Sequence, residues 1–285
     1  MEPAFYNRTY TFHDGLRLEL GRRTLIMGIL NVTPDSFSDG GRYEAVEAAV
    51  EKAREMAAEG ADILDIGGES TRPGHEAVST EEELMRILPV IHAVREAVKL
   101  PISLDTYKAE TARQAMEAGA HILNDIWGFK QDPGMAAVAA DYGCPVILMH
   151  NREQRDYADF VPDVLGDLKA SVARARAAGV AEENIWLDPG IGFAKDYDEN
   201  VELMGQLDRI VRLGYPVLLG TSRKTFIRRT LDVTVDDALE GTAATVSLGI
   251  AQGCQIVRVH DVKQMKRVAA MTDAIVYRQA GRSGR

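Results

Sequence analysis

Charged and polar side chains that could do chemistry stand at the ends of short apolar runs in this sequence. Arg258 and His260 are two residues apart, so a strand would point both to one face, and the segment 222–225 that contains Lys224 ends another apolar run. The whole chain has a net charge of -10, which makes a local basic cluster unusual. A convergence of Arg258, His260 and Lys224 therefore favours an anion pocket of the kind that holds phosphate over a structural salt-bridge cluster.

Other polar residues close further apolar runs. They are Asn31, Asp105, Asn124, Asp125, His150 and Asp188. Any one could merely cap the helix that follows, but so many in equivalent positions indicate a shared site. A single His after an apolar strand is more often a hydrogen-bonded structural residue, so His150 is left out of the predicted site. Asp65 lies inside an apolar run, and the sequence does not choose between a buried structural carboxylate and a ligand contact.

The elements that must position these residues follow from the alternation along the chain. Short runs rich in Ile, Val and Leu alternate with longer segments of helical spacing, a pattern that predicts parallel strands with crossover helices. The predicted strands are 24–32, 61–67, 101–106, 121–126, 145–150, 185–188, 216–221 and 254–260. Eight strands fit a closed (β/α)8 TIM barrel, which places catalytic groups at the carboxyl ends of its strands. An open doubly wound sheet is the alternative, but no Gly-x-Gly-x-x-Gly turn follows the first strand.

Helices are predicted between the strands. An apolar stripe from Val46 to Ala57 ends before Gly60, and Ser79 with Glu82 resembles a capping box that opens the next helix. Later helices are expected at 107–118, 161–178, 200–213, 236–252 and 262–278. Before the first barrel strand, His13-Asp14-Gly15 lies between two alternating runs, which predicts a short β-hairpin over 9–20 on the barrel floor.

Composition indicates one soluble domain. The chain has 285 residues, of which 46% are hydrophobic, and α/β barrels of this length form a single core. We expect residues 1–23 to be an N-terminal segment of the barrel domain, 24–280 the barrel and 281–285 a tail. The negative charge disfavours nucleic acid and anionic membranes as partners. Cys144 and Cys254 are expected to be buried, reduced thiols, and with no predicted signal peptide or membrane span a cytoplasmic location is expected.

Two long segments, 33–41 and 68–74, are rich in Gly, Pro, Ser and acidic residues and are predicted to be active-site loops. With their flanking strands they read MGILNVTPDSFSDGG and GADILDIGGESTRPG, and these stretches resemble the two signature loops of dihydropteroate synthases. The resemblance continues through SLDTYKAETA, ILNDIWG, VILMH, DPGIGFAK, GTSRKTFI and VRVHD. Departures are small, with Ala194 where many members have Gly and Thr225 where many have Ser.

The resemblance implies a transferase of folate biosynthesis. Such an enzyme condenses 6-hydroxymethyl-7,8-dihydropterin pyrophosphate with p-aminobenzoate to give 7,8-dihydropteroate and pyrophosphate, by dissociative C–N bond formation. Carried over by position, the pterin-binding residues are Asp105, Asn124, Asp188 and Lys224, of which Asp105 and Lys224 are also catalytic. Asn31, Arg258 and His260 would bind pyrophosphate, with Asn31 also on Mg²⁺. The p-aminobenzoate slot would comprise Thr71, Arg72, Pro73, Phe193 and Thr225.

Two other functions are weighed against the synthase. A methyltetrahydrofolate methyltransferase domain shares the fold but lacks the Ser-Thr-Arg-Pro and Ser-Arg-Lys loops seen here, and a non-catalytic pterin-binding relative would be expected to lose Asp105 or Lys224. The resemblance further implies a homodimer and inhibition by sulfonamide-type analogues of p-aminobenzoate. We expect both loops to close over Mg²⁺ and pyrophosphate, so that the pterin substrate binds before p-aminobenzoate.

Overall fold

The chain forms a closed barrel of parallel strands. The computed structural model describes residues 6–21, 23–32, 42–70 and 78–277. Its strands are β1 (Arg8–Thr11), β2 (Arg17–Leu20), β3 (Leu25–Asn31), β4 (Ile63–Gly67), β5 (Ile102–Asp105), β6 (Ile122–Asp125), β7 (Val146–Met149), β8 (Ile185–Asp188), β9 (Leu218–Leu219) and β10 (Ile256–Val259). Eight of them form one parallel sheet in the order β8-β7-β6-β5-β4-β3-β10-β9, and a bridge between Leu187 and Val217 joins its two ends. The predicted (β/α)8 barrel is confirmed.

Helices surround the barrel and pack on it through one continuous apolar core. They are α1 (Arg42–Glu59), α2 (Thr80–Ala97), α3 (Ala109–Ala118), α4 (Gly134–Tyr142), α5 (Phe160–Ala177), α6 (Tyr197–Met204), α7 (Leu207–Val211), α8 (Thr225–Leu231), α9 (Leu239–Ala251) and α10 (Val262–Val276). Gly60 follows α1 with a φ of 98°, as predicted for a helix end. None of the described helices combines the length and apolarity needed to cross a membrane.

Three helical details differ from the sequence prediction. Helices α4 and α8 were not predicted, and neither begins with a residue whose side chain caps it. The single helix expected over 200–213 is two helices, because the first ends at Gly205. Ser79 does cap α2 by accepting from the Glu82 N–H at 3.2 Å, but the Glu82 carboxylate bonds to Arg86, so only half of the predicted capping box is present.

The hairpin of β1 and β2 covers the floor of the barrel, as predicted. Its side chains Tyr10, Leu18 and Leu20 pack against residues near the amino ends of the barrel strands. The Tyr10 hydroxyl accepts from Trp186 Nε1 at 2.9 Å and donates to the Glu183 carbonyl at 2.7 Å. Both hydrogen-bonding groups at the centre of this floor are therefore satisfied.

His13, Asp14 and His121 form a cluster on the same floor, with potential ligand atoms within 4.8 Å of one another. His121 Nδ1 accepts a hydrogen bond from the Ile102 N–H at 3.0 Å, and His121 Nε2 lies 3.0 Å from Asp14 Oδ2. The neutral ring must then carry its proton on Nε2, the atom that a metal would need. This geometry fits a hydrogen bond that fastens the hairpin to the barrel and does not fit a metal site.

The barrel interior changes character along each strand. Side chains two residues apart point to the same side of a strand, so each strand gives the interior a lower and an upper side chain. The lower layer, which packs with the hairpin, includes Ile63, Ile122, Trp186, Leu218 and Ile256. The upper layer, two residues further along the same strands, includes Asp65, Asn124, Asp188, Gly220 and Arg258. The candidate site is therefore built directly on an apolar platform.

Candidate functional site

Arg258 joins three strands at the centre of the upper layer. Its Nε donates to Asp65 Oδ2 at 2.6 Å and its Nη2 donates to Asp105 Oδ2 at 2.8 Å. Asn124 Nδ2 also donates to Asp65, at 3.2 Å to Oδ2. The Asp65 side chain is fully buried. Asp65, which the sequence left between two interpretations, thus orients two of the predicted site residues, Arg258 and Asn124.

One carboxylate oxygen of Asp105 has no hydrogen-bond donor among the described residues. This oxygen, Oδ1, is buried. Burial raises the pKa of Asp105, the positive charge of Arg258 lowers it, and the negative charge of Asp65 raises it again. A buried acceptor without a donor is costly, and such atoms are typical of sites that await a ligand.

Asn31 ends β3 beside Asp105. A Cβ added to Gly67, between these two residues, would lie 3.4 Å from the Asp105 Cβ and 3.8 Å from Asn31 Oδ1. The glycine therefore leaves a small space bordered by the Asn31 amide oxygen and by the Cβ and backbone oxygen of Asp105. Hard oxygen ligands of this type are what Mg²⁺ prefers, usually with several waters retained, so the residues present fit the predicted metal.

Asp188 ends β8, and its Oδ1 accepts from the Gly190 N–H at 2.6 Å. Its Oδ2 lies 3.8 Å from the position that a Cβ on Gly220 would take, so the missing side chain leaves space next to this oxygen. Burial raises the pKa of Asp188 to about 6, against the lowering effects of the Gly190 hydrogen bond and of the charges of Lys224 and Arg258. Near neutral pH, Asp188 is therefore a buried, ionised acceptor.

Lys224 and Phe193 form the next part of the site. The Lys224 ammonium lies 4.1 Å from the centre of the Phe193 ring, a cation–π distance. Gly192 has a φ of 83°, and a Cβ there would come within 2.9 Å of the Lys224 side chain. Thr225, the first residue of α8, is exposed, and its hydroxyl accepts from Arg228 at 3.0 Å.

His260 lies just beyond the end of β10. Its Nδ1 is 2.9 Å from the Ser222 hydroxyl, and its backbone N–H donates to the same oxygen at 3.2 Å. The loop after β9 is thereby fastened to the end of β10 at His260. Asp125, also noted in the sequence, accepts from the Trp127 and Phe129 N–H groups and supports the turn after β6.

Lys195 and His150 were missed as a pair. Lys195 lies in the motif DPGIGFAK, and its ammonium is buried against His150 Nδ1 at 2.8 Å. Burial lowers the pKa of Lys195 to about 7 and that of His150 to about 4. The position of Lys195, two residues after Phe193, was a possible signal of a role in the site. Its inward direction, however, follows from the conformation of the turn and not from the spacing.

Three predicted residues, Thr71, Arg72 and Pro73, lie outside the described residues, as do segment 33–41 and most of 68–74. Of the rest, Asn31, Asp105, Asn124, Asp188, Lys224, Phe193, Arg258 and His260 all come to the carboxyl end of the barrel. Thr225 reaches the same end on α8.

Comparisons with known proteins agree with this geometry. The family model described as "Pterin binding enzyme" matches residues 27–260. The dihydropteroate synthase of Bacillus subtilis (strain 168) is 58% identical over 91% of this chain and 91% of its own length. A Xanthomonas albilineans dihydropteroate synthase solved with 4-aminobenzoic acid is 41% identical with a TM-score of 0.90, covering 95% of this chain and 98% of that one.

A Yersinia pestis dihydropteroate synthase solved as a sulfonamide drug complex is 38% identical, with a TM-score of 0.87 over 95% of this chain and all (100%) of that one. Fold, site geometry and sequence identity over nearly the whole length point to one group of enzymes. The chain belongs to the family of dihydropteroate synthases, transferases that form a C–N bond in folate synthesis.

Proposed function

We propose that this chain joins the methylene carbon of 6-hydroxymethyl-7,8-dihydropterin pyrophosphate to the amine of p-aminobenzoate, giving 7,8-dihydropteroate and pyrophosphate. The observation that carries the proposal is the pair of buried carboxylates at the top of the barrel. Asp105 has an oxygen that no donor reaches in the described chain, and Asp188 has an oxygen next to the space left by Gly220. Two such buried acceptors suit a flat heterocycle rich in N–H donors.

Pterin binding is assigned to Asp188, Asn124, Asp105 and Lys224. The amino-pyrimidinone edge of a pterin has two adjacent donors, which an ionised Asp188 accepts together. Asn124 is held by Asp65, so its amide is already oriented before a ligand arrives. Preorganised polar groups lower the cost of ordering on binding.

Chemistry begins with loss of the diphosphate. The C–O bond to the methylene breaks with its electron pair on oxygen, and positive charge develops on the pterin. The carboxylate of Asp105 stabilises that charge as it forms, and the stabilisation is large because the side chain is buried. The amine of p-aminobenzoate then attacks the methylene carbon and loses one proton, while Lys224 holds the pterin in place.

Diphosphate binding is assigned to Arg258, His260 and Asn31. The bonds of Arg258 to Asp65 and Asp105 use two of the five N–H donors of a guanidinium, but these carboxylates also offset its charge. Further positive charge is therefore needed at this point. Mg²⁺, held by Asn31 and diphosphate oxygens, would supply it and improve the leaving group.

The p-aminobenzoate slot is assigned to Phe193 and Thr225 together with Thr71, Arg72 and Pro73. The Phe193 ring can stack on the aromatic ring of a substrate, and the Lys224 ammonium lies over the Phe193 ring. Sulfonamide-type analogues have the same flat aniline ring, and the Yersinia relative is a sulfonamide complex. They are accordingly expected to compete with p-aminobenzoate.

The assembly is assigned as a homodimer. Helices α9 and α10 pack together, with Ser247 and Thr272 hydrogen bonded at 3.1 Å, and they expose Leu248, Met271 and Ile275 by 47%, 63% and 65%. Large exposed apolar side chains on neighbouring helices are typical of subunit contacts. The two buried free thiols, Cys144 and Cys254, favour a reducing cytoplasm as the location.

The test is a reconstituted reaction. Purified protein is incubated with the pterin pyrophosphate, p-aminobenzoate and Mg²⁺, and dihydropteroate and pyrophosphate are measured together. One pyrophosphate per dihydropteroate is expected, with activity lost on chelation of the metal and restored by its return. Pyrophosphate release without consumption of p-aminobenzoate would show that the chain is a hydrolase, and no turnover with folded protein would refute the synthase activity.

A further inference from the structure

Lys195 is a buried lysine with all of its hydrogen-bonding capacity in use. Its ammonium donates to the Gly190 carbonyl and the Phe193 carbonyl, both at 2.9 Å, and lies 2.8 Å from His150 Nδ1. A lysine ammonium has three N–H donors, so this arrangement leaves none for a substrate. Any role of Lys195 in the reaction must therefore act through the groups that it holds.

Lys195 holds a turn with an unusual backbone. Gly190, Gly192 and Ala194 have φ values of 67°, 83° and 45°, all in the left-handed region. Ala194 stands where the family often has Gly, and a residue with a Cβ is strained at that φ. Such a turn persists only when its surroundings fix it. Lys195 binds the carbonyls of Gly190 and Phe193, and the Tyr157 hydroxyl donates to the Ala194 carbonyl at 2.8 Å.

His150 fixes the ammonium from behind. Because His150 Nδ1 faces Lys195, the ring proton is on Nε2, which donates to Asp167 Oδ2 at 3.1 Å. Arg152 Nε donates to the same oxygen at 2.6 Å. The order Arg152, Asp167, His150, Lys195 thus runs from the partly exposed rim to the interior, with each side chain oriented by the one before it.

The turn carries two residues of the site. At its start, Gly190 donates to Asp188, and near its end the Phe193 ring lies against Lys224. A Cβ on Gly190 would lie 1.9 Å from the His150 carbonyl, so turn and β7 are already in contact at that end. At the Phe193 end, the Phe193 N–H donates to the Gly190 carbonyl at 3.0 Å and the Gly192 N–H donates to Asn200 Oδ1 at 2.6 Å. The Phe193 carbonyl itself is held by Lys195 at 2.9 Å.

We propose that Lys195, oriented by His150, is a positioning residue that sets the Phe193 ring for p-aminobenzoate. This inference rests on the proposed synthase function. Loss of the lysine should loosen the Phe193 end of the turn and leave Asp188, which belongs to β8, in place. The effect should then fall on the second substrate much more than on the pterin or on turnover.

The experiment compares steady-state kinetics of the wild type, Lys195→Met and a matched control, Lys266→Met. Lys266 is a partly buried lysine that is paired with a carboxylate, Asp62, at the opposite end of the barrel. Lys195→Met should raise KM for p-aminobenzoate about 10-fold, the scale of a lost aromatic stacking contact. KM for the pterin substrate and kcat should change by less than about threefold. The control should behave like the wild type.

An unchanged KM for p-aminobenzoate in Lys195→Met, or equal losses in both KM values and kcat, would overturn the inference. If Lys195→Met does not fold, the inference is tested by comparing the KM for p-aminobenzoate of His150→Asn and His150→Leu. Asn keeps an acceptor near the position of Nδ1, so its KM for p-aminobenzoate should stay close to that of the wild type while that of Leu rises. Equal values in the two variants would overturn the inference, whereas an inactive wild type would refute the synthase function itself.

Discussion

The lower and upper layers of the barrel interior stand on the same strands, yet they are built by opposite rules. Ile63, Trp186 and Ile256 in the lower layer are fully buried and apolar. Two residues further along, Asp65 and Asp188 are buried and Arg258 is partly buried, and all three are charged residue types. Burial of an apolar side chain stabilises the fold, whereas burial of a charge costs free energy unless it is paired.

The cost is visible in the upper layer. Asp105 has a buried oxygen without a donor in the described chain, and burial raises the pKa of both Asp105 and Asp188. On the floor, by contrast, Tyr10 and Trp186 satisfy each other. The comparison teaches that the lower layer supplies stability and the upper layer uses part of it to hold groups ready for a ligand.

The largest effect is expected from Trp186→Ala in the lower layer. Removing this fully buried side chain should reduce the free energy of unfolding by about 3–5 kcal/mol, because it leaves a cavity and removes the donor to the Tyr10 hydroxyl. Urea denaturation measures the loss. Kinetic constants of the remaining folded enzyme should be unchanged, and an altered kcat would break the division of roles between the layers.

Asp105→Asn should have the opposite profile. Because the carboxylate acts on charge that develops in the transition state, kcat should fall by about 10²–10³-fold with little change in pterin affinity. Single-turnover kinetics with saturating substrates measure the chemical step. Equal losses in affinity and in kcat would make Asp105 a binding residue only.

Asp188→Asn should weaken pterin binding by roughly 1.5–3 kcal/mol, since an amide presents a donor where the pterin needs an acceptor. The same change should raise the free energy of unfolding at pH 7 by up to about 3 kcal/mol, because it removes a buried charge whose pKa is shifted to about 6. Calorimetry and urea denaturation measure the two quantities. A variant that binds normally, or that is destabilised, contradicts this assignment.

The pH dependence of Asp188 sharpens the same point. Its pKa in the folded protein is raised, so its contribution to stability is present at low pH and is lost as pH rises through about 6. Pterin binding needs the ionised form and changes the other way, with affinity about 10-fold weaker at pH 5 than at pH 7. Titration of a pterin analogue at both pH values, with Asp188→Asn as the flat control, tests the sign.

Much of the barrel could be predicted because its strands are buried on both faces and read as apolar runs. The positions of Asn31, Asp105 and Asp188 at the carboxyl ends of strands could be predicted because each of them interrupts such a run at its end. Helix α4 was missed because GMAAVAADY has small and apolar residues around its whole circumference and no capping side chain, so it lacks a helical stripe.

Pairings between distant residues could not be predicted. Arg258 and Asp105 are separated by 153 positions, and only the closure of the barrel brings them together. The link between Lys195 and His150 depends on left-handed turn residues, one of which is Ala194, where the residue type does not announce the conformation. Spacing identifies which strand end a residue occupies, but the partner that orients it depends on the folded backbone.

The floor of the barrel also fixes an order of assembly. Tyr10 is made early, but its partners Glu183 and Trp186 follow 173 and 176 residues later. During synthesis the hairpin therefore cannot complete these bonds until six of the eight barrel strands have left the ribosome. Its docking is a late, long-range contact of the kind that slows folding. A segment translated before all of the barrel strands is thus among the last to find its place.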